Sequence, residues 1–145
     1  MRIIYLLSIT FILSACATTY QKAGVTGGYT ETQLDANVYQ VDFSGNAYIS
    51  SQEVADFALL RSAELTLEKG YNYFVIIDGS KYSDTSSYEV PTAYGGYQTY
   101  TTSKPSASNT IVCFKEKPEG FSYNAKFIKE SFREKYQLNK PDKAN

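Results

Sequence analysis

Residues 50–78, SSQEVADFALLRSAELTLEKGYNYFVIID, decide the fold class because they join a helix pattern directly to a strand pattern. Ser50 and Glu53 have the spacing of a capping box, which predicts that a helix begins at this point. Gly70 is a residue type that commonly ends a helix. The β-rich run 74–77 then predicts a central strand that is buried on both faces. A long helix packed on a sheet is therefore the minimum fold.

The segment before this helix predicts a β-hairpin. Residues 29–34 form the first strand and residues 38–43 the second, because apolar and polar side chains alternate in the second segment. Residues 35–37 supply the turn, and Asn37 tolerates a positive φ there.

A returning strand and a second helix complete the predicted domain. Residues 111–114 form the strand, and the helical spacing from Ala125 to Tyr136 predicts the helix. The order β-β-α-β-β-α predicts an α+β, two-layer sandwich with an antiparallel sheet of about four strands and two helices on one face. We expect a single domain over residues 28–137 and a polar tail over 138–145.

Residues 80–108 differ in composition from the rest of the domain. They are rich in Ser and Thr, and Val90 is their only large aliphatic residue, so they cannot build a core of their own. We expect a long, flexible, Tyr-rich loop between two core strands, in the form of a loose hairpin or of a solvated insertion without a partner. Tyrosine offers a large contact area with a polar tip, so these side chains are candidate partner-binding residues. They are Tyr82, Tyr88, Tyr94, Tyr97 and Tyr100.

Charge and composition argue against several classes of function. The chain has no His and a net charge of −1, which disfavours nucleic-acid binding, most hydrolases and most zinc sites. Catalysis would depend on Cys113, on a Lys, on the pair Glu64 and Glu68, or on Asp78 at the end of a strand. None of these has an identifiable catalytic partner, so we predict that the protein is not an enzyme and that it binds no metal and no cofactor.

Two polar residues fall within apolar patterns. Arg61 lies in the apolar stripe of the first helix, where we expect a structural ion pair with Glu64; a ligand-binding arginine is the alternative. Cys113 lies in a strand pattern, where we expect a small buried hydrophobe; a mixed disulfide or a redox role is the alternative.

The N-terminus has the layout of a secretory signal. Arg2 precedes a short apolar run, and small residues follow at positions 14 and 15. Leu13-Ser14-Ala15-Cys16 resembles the lipobox of bacterial lipoproteins. The resemblance implies a signal peptide over residues 1–15, cleavage before Cys16 and lipid attachment at its sulfur, with Ala17 favouring the outer membrane. We expect residues 16–27 to form the lipidated cysteine and a flexible tether.

A second resemblance covers roughly residues 20–79. It is carried by Gly27-Gly28-Tyr29, Gly45-Asn46, the LRSAE motif at 60–64 and the GYNYF motif at 70–74. These motifs are similar to a group of small proteobacterial lipoproteins, the CC0125/CC1285-type family, which implies an envelope location and brings no agreed activity. We expect a membrane-anchored, non-enzymatic structural or protein-interaction module that faces the periplasm. The alternative is a lipoprotein that binds glycan, peptidoglycan or another small ligand through its Tyr-rich loop.

Overall fold

The computed structural model describes residues 17–139 as one α+β domain, and the predicted signal peptide, Cys16 and residues 140–145 lie outside the described part. Five strands form one open antiparallel sheet, and two helices pack on it, so the predicted fold class is confirmed. In chain order the elements are β1 (Gly28–Asp35), β2 (Val38–Ser44), α1 (Ser51–Glu68), β3 (Tyr73–Pro91), β4 (Tyr97–Phe114), β5 (Tyr123–Asn124) and α2 (Ala125–Lys135).

The sheet has the strand order β1-β2-β4-β3-β5, which differs in two details from the prediction. A fifth strand of two residues, β5, pairs with the start of β3. The prediction that residues 74–77 are buried on both faces is wrong, because the helices cover only one face. Phe74 is fully buried on that face, Val75 is half-buried on the other, and Ile77 is 61% exposed.

Helix α1 packs on the sheet and also contacts α2. It begins as predicted, with the Ser50 side chain accepting a hydrogen bond from the backbone N–H of Glu53. Most of its length is buried because the sheet covers one side and α2 another. The buried hydroxyls of Ser62 and Thr66 donate to carbonyls four residues earlier, which satisfies them within the helix.

The core has two adjoining parts along α1. One contains Phe74, Ile111 and Cys113 from the sheet together with Ile128 from α2. The other surrounds Phe43, which packs against Phe57 of α1 and against neighbouring aromatic rings. The apolar positions predicted for both helices supply much of this core.

For residues 80–108 the hairpin form of the prediction is confirmed, but the description of the segment as a loop is wrong for most of its length. Strand β3 continues to Pro91 and β4 begins at Tyr97, so only residues 92–96 form a turn. The Ser- and Thr-rich composition, which excludes a core, is compatible with a strand ladder because backbone hydrogen bonds need no buried side chains.

The predicted tether is also wrong for the residues that the structure describes, 17–27. Thr18 is 2% exposed. The ring of Tyr20 lies parallel to that of Phe43 at 6.5 Å, and its hydroxyl donates to the Glu64 carboxylate. Lys22 forms an isolated parallel β-bridge with Tyr29 of β1. Aromatic burial holds this segment on the domain, although its composition suggested a linker.

Candidate interaction surface

The most exposed regular structure is a two-stranded arm, which we define as residues 81–91 and 97–105 of β3 and β4 with the turn between them. The pairing is continuous from Lys81–Ala107 to Pro91–Tyr97. Gly95 and Gly96 have φ angles of 80° and 115°, so the turn uses the left-handed conformations that glycine adopts without strain.

Both outer edges of the arm lack a neighbouring strand in the described part of the chain. Strand β5 pairs only with Tyr73 and Phe74, and β2 pairs with β4 only as far as Ser106. Pro105 suits this boundary because its missing N–H would face the edge where pairing with β2 ends. Open edges of this kind are templates for pairing with another chain.

The five predicted tyrosines are not brought together at one point. The pairing register and strand alternation place Tyr82, Tyr88 and Tyr100 on one face of the arm, and Tyr97 on the opposite face. Tyr94 lies in the turn and is fully exposed. The rings of Tyr88 and Tyr100 stack across the two strands at 5.7 Å, which is the only aromatic pair of the arm.

The face that carries three tyrosines continues onto the helix-free face of the sheet. Tyr82 of β3 pairs with Ser106 of β4. The helix-covered face of β4 carries Ala107 and Ile111, so Ser106 and Tyr82 lie on the opposite, helix-free face. The helix-free face beside Tyr82 is hydroxyl-rich, with Ser80, Ser108 and neighbouring polar residues. We call this continuous surface, from Ser108 to Tyr88 and Tyr100, the tyrosine face.

Arg61 is a structural residue, as expected, but its closest partners differ from the predicted one. Its guanidinium lies 3.6 Å from Glu64, whereas its distances to Glu31 and Glu68 are 2.7 and 2.8 Å. It also stacks over the ring of Tyr29 at 4.6 Å. The side chain is 7% exposed and fully engaged, so it is not available to anchor a ligand carboxylate.

Glu64 and Glu68 do not form a carboxylate pair of catalytic type. Glu64 accepts hydrogen bonds from Arg133 at 2.6 Å and from Tyr20. Glu68 is held by Arg61, and this bond, opposed by partial burial, keeps the pKa of Glu68 below its usual value. Burial and the bond to Glu64 raise the pKa of Tyr20, which keeps its phenol protonated.

A second buried carboxylate, that of Asp56, joins the two helices. Its Oδ2 accepts hydrogen bonds from Lys135 at 2.7 Å and from Tyr136 at 2.6 Å, and its Oδ1 accepts one from Gln52. Burial raises the pKa of Asp56, but these hydrogen bonds outweigh it and hold the pKa below its usual value. Burial and the bond to Asp56 raise the pKa of Tyr136 to about 12.

Cys113 is buried, as predicted. Its Sγ lies 3.4 Å from Oγ1 of Thr66, and the side chain is covered by the main core. Burial raises the pKa of the thiol, although the contact with Thr66 lowers it in part. A protonated, covered thiol is a poor nucleophile, so nothing in its surroundings favours the redox alternative.

The remaining catalytic candidate, Asp78, lies exposed on β3 and pairs in register with Thr110. A cavity of about 320 Å³ lies nearby, on the helix side, between the first half of α1 and the base of the arm. Lys81, Asn109 and Asp56 contribute its polar lining. Across residues 17–139, no three metal-binding side chains are grouped as a metal site would need.

The residues that dock the N-terminal segment were not predicted from the sequence. The backbone N–H of Thr18 donates to the Asn46 side chain, and the backbone N–H of Asn46 donates to the Thr18 hydroxyl. These two hydrogen bonds lie between the start of β1 and the end of β2. A side chain at Gly27 would lie 2.2 Å from the carbonyl oxygen of Ser44, and one at Gly28 would lie 2.5 Å from that of Gln21. The Gly27-Gly28 pair was the available signal, because adjacent glycines permit another segment to approach the backbone closely.

No protein-family model, curated protein or solved structure matches the chain. The resemblance to lipoproteins therefore stays a prediction. None of the helices over residues 17–139 has the length and apolar composition that crossing a bilayer requires.

Proposed function

We propose that this protein is a non-enzymatic envelope lipoprotein, held by lipid on Cys16 at the periplasmic face of the outer membrane, that binds a protein partner through its arm. The observation that carries the proposal is the arm itself. It places stacked tyrosines and two open strand edges on one projecting element, almost all of which is exposed beyond its base at Lys81 and Pro105.

The distribution of charged groups supports an interaction role over catalysis. The buried ionisable side chains bind one another: Arg61 with three glutamates, and Asp56 with Lys135 and Tyr136. Such networks stabilise a domain, and they engage these acids and bases in structural contacts. The arm, in contrast, presents hydroxyls and aromatic rings, which are frequent in binding surfaces.

Lipid attachment is tested by mass spectrometry of the mature N-terminus. We expect a peptide that begins with diacylglyceryl-modified, N-acylated Cys16. An unmodified Cys16, or a chain that retains residues 1–15, would contradict the anchor. The Cys16→Ser variant is the control, and we expect it to stay uncleaved.

Partner binding is tested by a photo-crosslinking amino acid at Val90, which lies on the same face of the arm as Tyr88 and Tyr100. We expect an adduct of defined mass in cells. Adding Tyr88→Ser and Tyr100→Ser should abolish this adduct, because the substitutions remove the stacked rings but keep the strand pairing.

The matched control is Tyr97→Ser, which changes a tyrosine on the opposite face that is more exposed than Tyr88 or Tyr100. We expect the adduct to persist in this variant. If Tyr97→Ser abolished the adduct as fully as Tyr88→Ser with Tyr100→Ser, this would contradict specific binding through the tyrosine face. An adduct with the mass of two chains would assign the arm to self-association and overturn a distinct partner.

Glycan binding is a second candidate, favoured by the stacked pair Tyr88–Tyr100 beside the hydroxyls of Ser86 and Thr102. Exposed aromatic rings next to hydrogen-bonding groups can bind the faces of sugar rings. Purified sacculi should then sediment the wild-type protein but not the Tyr88→Ser, Tyr100→Ser double variant. Absence of wild-type protein from the pellet would exclude this candidate.

A further inference from the structure

The chain between the predicted lipid anchor and the folded domain is one residue long. Only Ala17 separates Cys16 from Thr18. The hydroxyl of Thr18 donates to the carbonyl of Thr26 at 2.6 Å and accepts from the backbone N–H of Asn46 at 2.8 Å. Because consecutive Cα atoms are about 3.8 Å apart, the Cα atoms of Cys16 and Thr18 are separated by at most about 8 Å. An acyl anchor on Cys16 therefore brings the surface around Thr18 to the bilayer.

This surface includes two loops without charged residues, 23–27 and 45–50, which we call the anchor-end loops; the exposed Lys22 directly precedes the first of them. Val25 is fully exposed in the first loop and Tyr48 is 69% exposed in the second. Both loops are tied to Thr18, since the backbone N–H of Tyr48 donates to the same Asn46 side chain that Thr18 contacts. Two uncharged loops with an exposed Val and Tyr can enter the headgroup layer without burying a charge, and Tyr favours that layer. The long side chain of Lys22 can keep its charge among the headgroups.

The register of the sheet shows where the arm lies relative to these loops. Gly28 pairs with Ser44, Ser44 with Ser106, and Ser106 with Tyr82, so these residues share one end of the sheet. The backbone N–H of Gly45 donates to the carbonyl of Pro105 at 2.8 Å. The arm therefore leaves the domain from its anchored end.

Two orientations of the arm are excluded by length. From Tyr82 to Pro91 the arm extends about 30 Å at 3.3 Å per residue, so an arm directed into the bilayer would cross the hydrocarbon core with unpaired edges. An arm directed away would require the opposite end of the sheet to face the bilayer. Strand β2 alone is about 20 Å long, and the connection to Cys16 spans at most about 8 Å.

We propose that the anchor-end loops rest in the headgroup layer of the bilayer that holds Cys16, and that the arm extends along this bilayer. The proposal rests on the proposed lipid anchor. The arm carries two Lys, one Asp and one Glu, so its formal charges cancel and its contact with lipid depends on its tyrosines rather than on anionic headgroups. A partner of the arm would then be a molecule at the membrane surface.

The chain has no Trp, so each Trp variant contains a single tryptophan, which can be excited selectively at wavelengths where the 14 tyrosines do not absorb. The test uses the full lipidated protein in phosphatidylethanolamine and phosphatidylglycerol vesicles, with bromine on the acyl chains close to the headgroups. We expect bromolipid to quench and blue-shift the emission of the Tyr48→Trp variant. Val25→Trp provides a second reporter on the other loop, and we expect the same response.

The matched control is Leu34→Trp, because Leu34 is 54% exposed beside the turn at the opposite end of the sheet. Because the arm continues the strands of the sheet, an arm along the bilayer inclines the sheet as well, but Leu34 is about 20 Å of strand farther from Cys16 than the anchor-end loops. We expect its emission to be quenched less than that of Tyr48→Trp. Equal quenching of Leu34→Trp and Tyr48→Trp would overturn the orientation, as would an unquenched Tyr48→Trp. Circular dichroism of each variant confirms that the compared proteins have the same fold.

The Tyr94→Trp variant tests the direction of the arm, since Tyr94 lies in the turn at its tip. We expect quenching by a lipid that carries a nitroxide on its headgroup. Quenching of Tyr48→Trp without quenching of Tyr94→Trp would overturn the part of the proposal that concerns the arm. Mass spectrometry of the same samples separates these outcomes from a failed anchor. An unmodified Cys16 overturns both the anchor and this orientation, whereas Leu34→Trp quenched as strongly as Tyr48→Trp on acylated protein overturns the orientation alone.

Discussion

Strands β3 and β4 each contribute to two regions that differ in what stabilises them. In the helix-covered region, Phe74 and Cys113 face each other in register and are buried by α1 and α2. In the arm, the same two strands carry Ser, Thr and Tyr, and almost every side chain is exposed. The first region is stabilised mainly by apolar burial, whereas the second relies on the backbone ladder and on cross-strand contacts. Strand pairing can therefore extend well beyond the core that nucleates it.

The largest expected effect follows from removing a core ring. Phe43→Ala deletes a fully buried side chain that contacts Phe57 and Tyr20, and we expect it to lower the free energy of unfolding by about 3–5 kcal/mol. Urea denaturation followed by circular dichroism measures this change. If Phe43→Ala lowered the free energy of unfolding no more than a tyrosine substitution in the arm does, the proposed difference between the two regions would be contradicted.

Next in size is the buried ion network. Arg61→Leu removes the cation between Glu31, Glu64 and Glu68, and leaves Glu64, which is largely buried, with Arg133 as its remaining cationic partner. We expect a loss of about 2–3 kcal/mol in the free energy of unfolding, because Glu64 keeps its cost of desolvation, whereas the partly exposed Glu31 and Glu68 are screened by solvent. Arg61→Leu combined with Glu64→Gln should recover part of the loss, and the absence of any recovery would contradict this explanation.

The stability of the helix-covered region should depend on acid pH through Asp56. Because the pKa of Asp56 is lower in the folded protein than its unfolded value of about 3.9, its contribution is fully present above that value and is lost as the pH falls through the folded pKa. Asp56→Asn should therefore lower stability at neutral pH and flatten the decline below about pH 4. Denaturant midpoints measured from pH 2 to pH 7 test this, and parallel curves for both proteins would refute it.

The smallest expected effect concerns the arm. Tyr88→Ala removes one ring of the stacked pair with Tyr100, and cross-strand pairs of this kind contribute less than about 1 kcal/mol. We expect the free energy of unfolding to change by no more than this amount, while the proposed partner adduct is lost. A double-mutant cycle with Tyr100→Ala measures the coupling, and a loss of several kcal/mol would mean that the arm belongs to the cooperative core.

Much of the fold could be predicted because its signals are local. The cap at Ser50, the end of α1 near Gly70 and the alternation in β2 each depend on residues within a few positions. The two-residue strand β5 carried no such signal, because it exists only through its pairing with Phe74 and Tyr73. Burial on one face rather than two could not be read from the apolar run 74–77, since this depends on which elements cover the sheet.

The candidate surface was only partly predictable. Composition correctly set residues 80–108 apart and identified their tyrosines, but it could not show that Tyr88 faces Tyr100 while Tyr97 faces the other way. Those facts follow from register, which pairs residues far apart in sequence. The outer ends of the arm strands have few apolar residues, so the usual periodic signal of a half-buried strand was absent.

By itself, the sequence determined the order of the main elements, the helix cap, the α+β class and the burial of Cys113, because periodicity and capping act between neighbouring residues. The lipid anchor at Cys16 also stays a prediction of sequence alone. Only the tertiary structure decided that Tyr20 docks on the core, that Arg61 binds Glu31 and that the arm leaves the domain beside Thr18. These contacts join residues about 30 or more positions apart, or pairs whose meeting depends on strand register, and such choices are settled by packing rather than by local pattern.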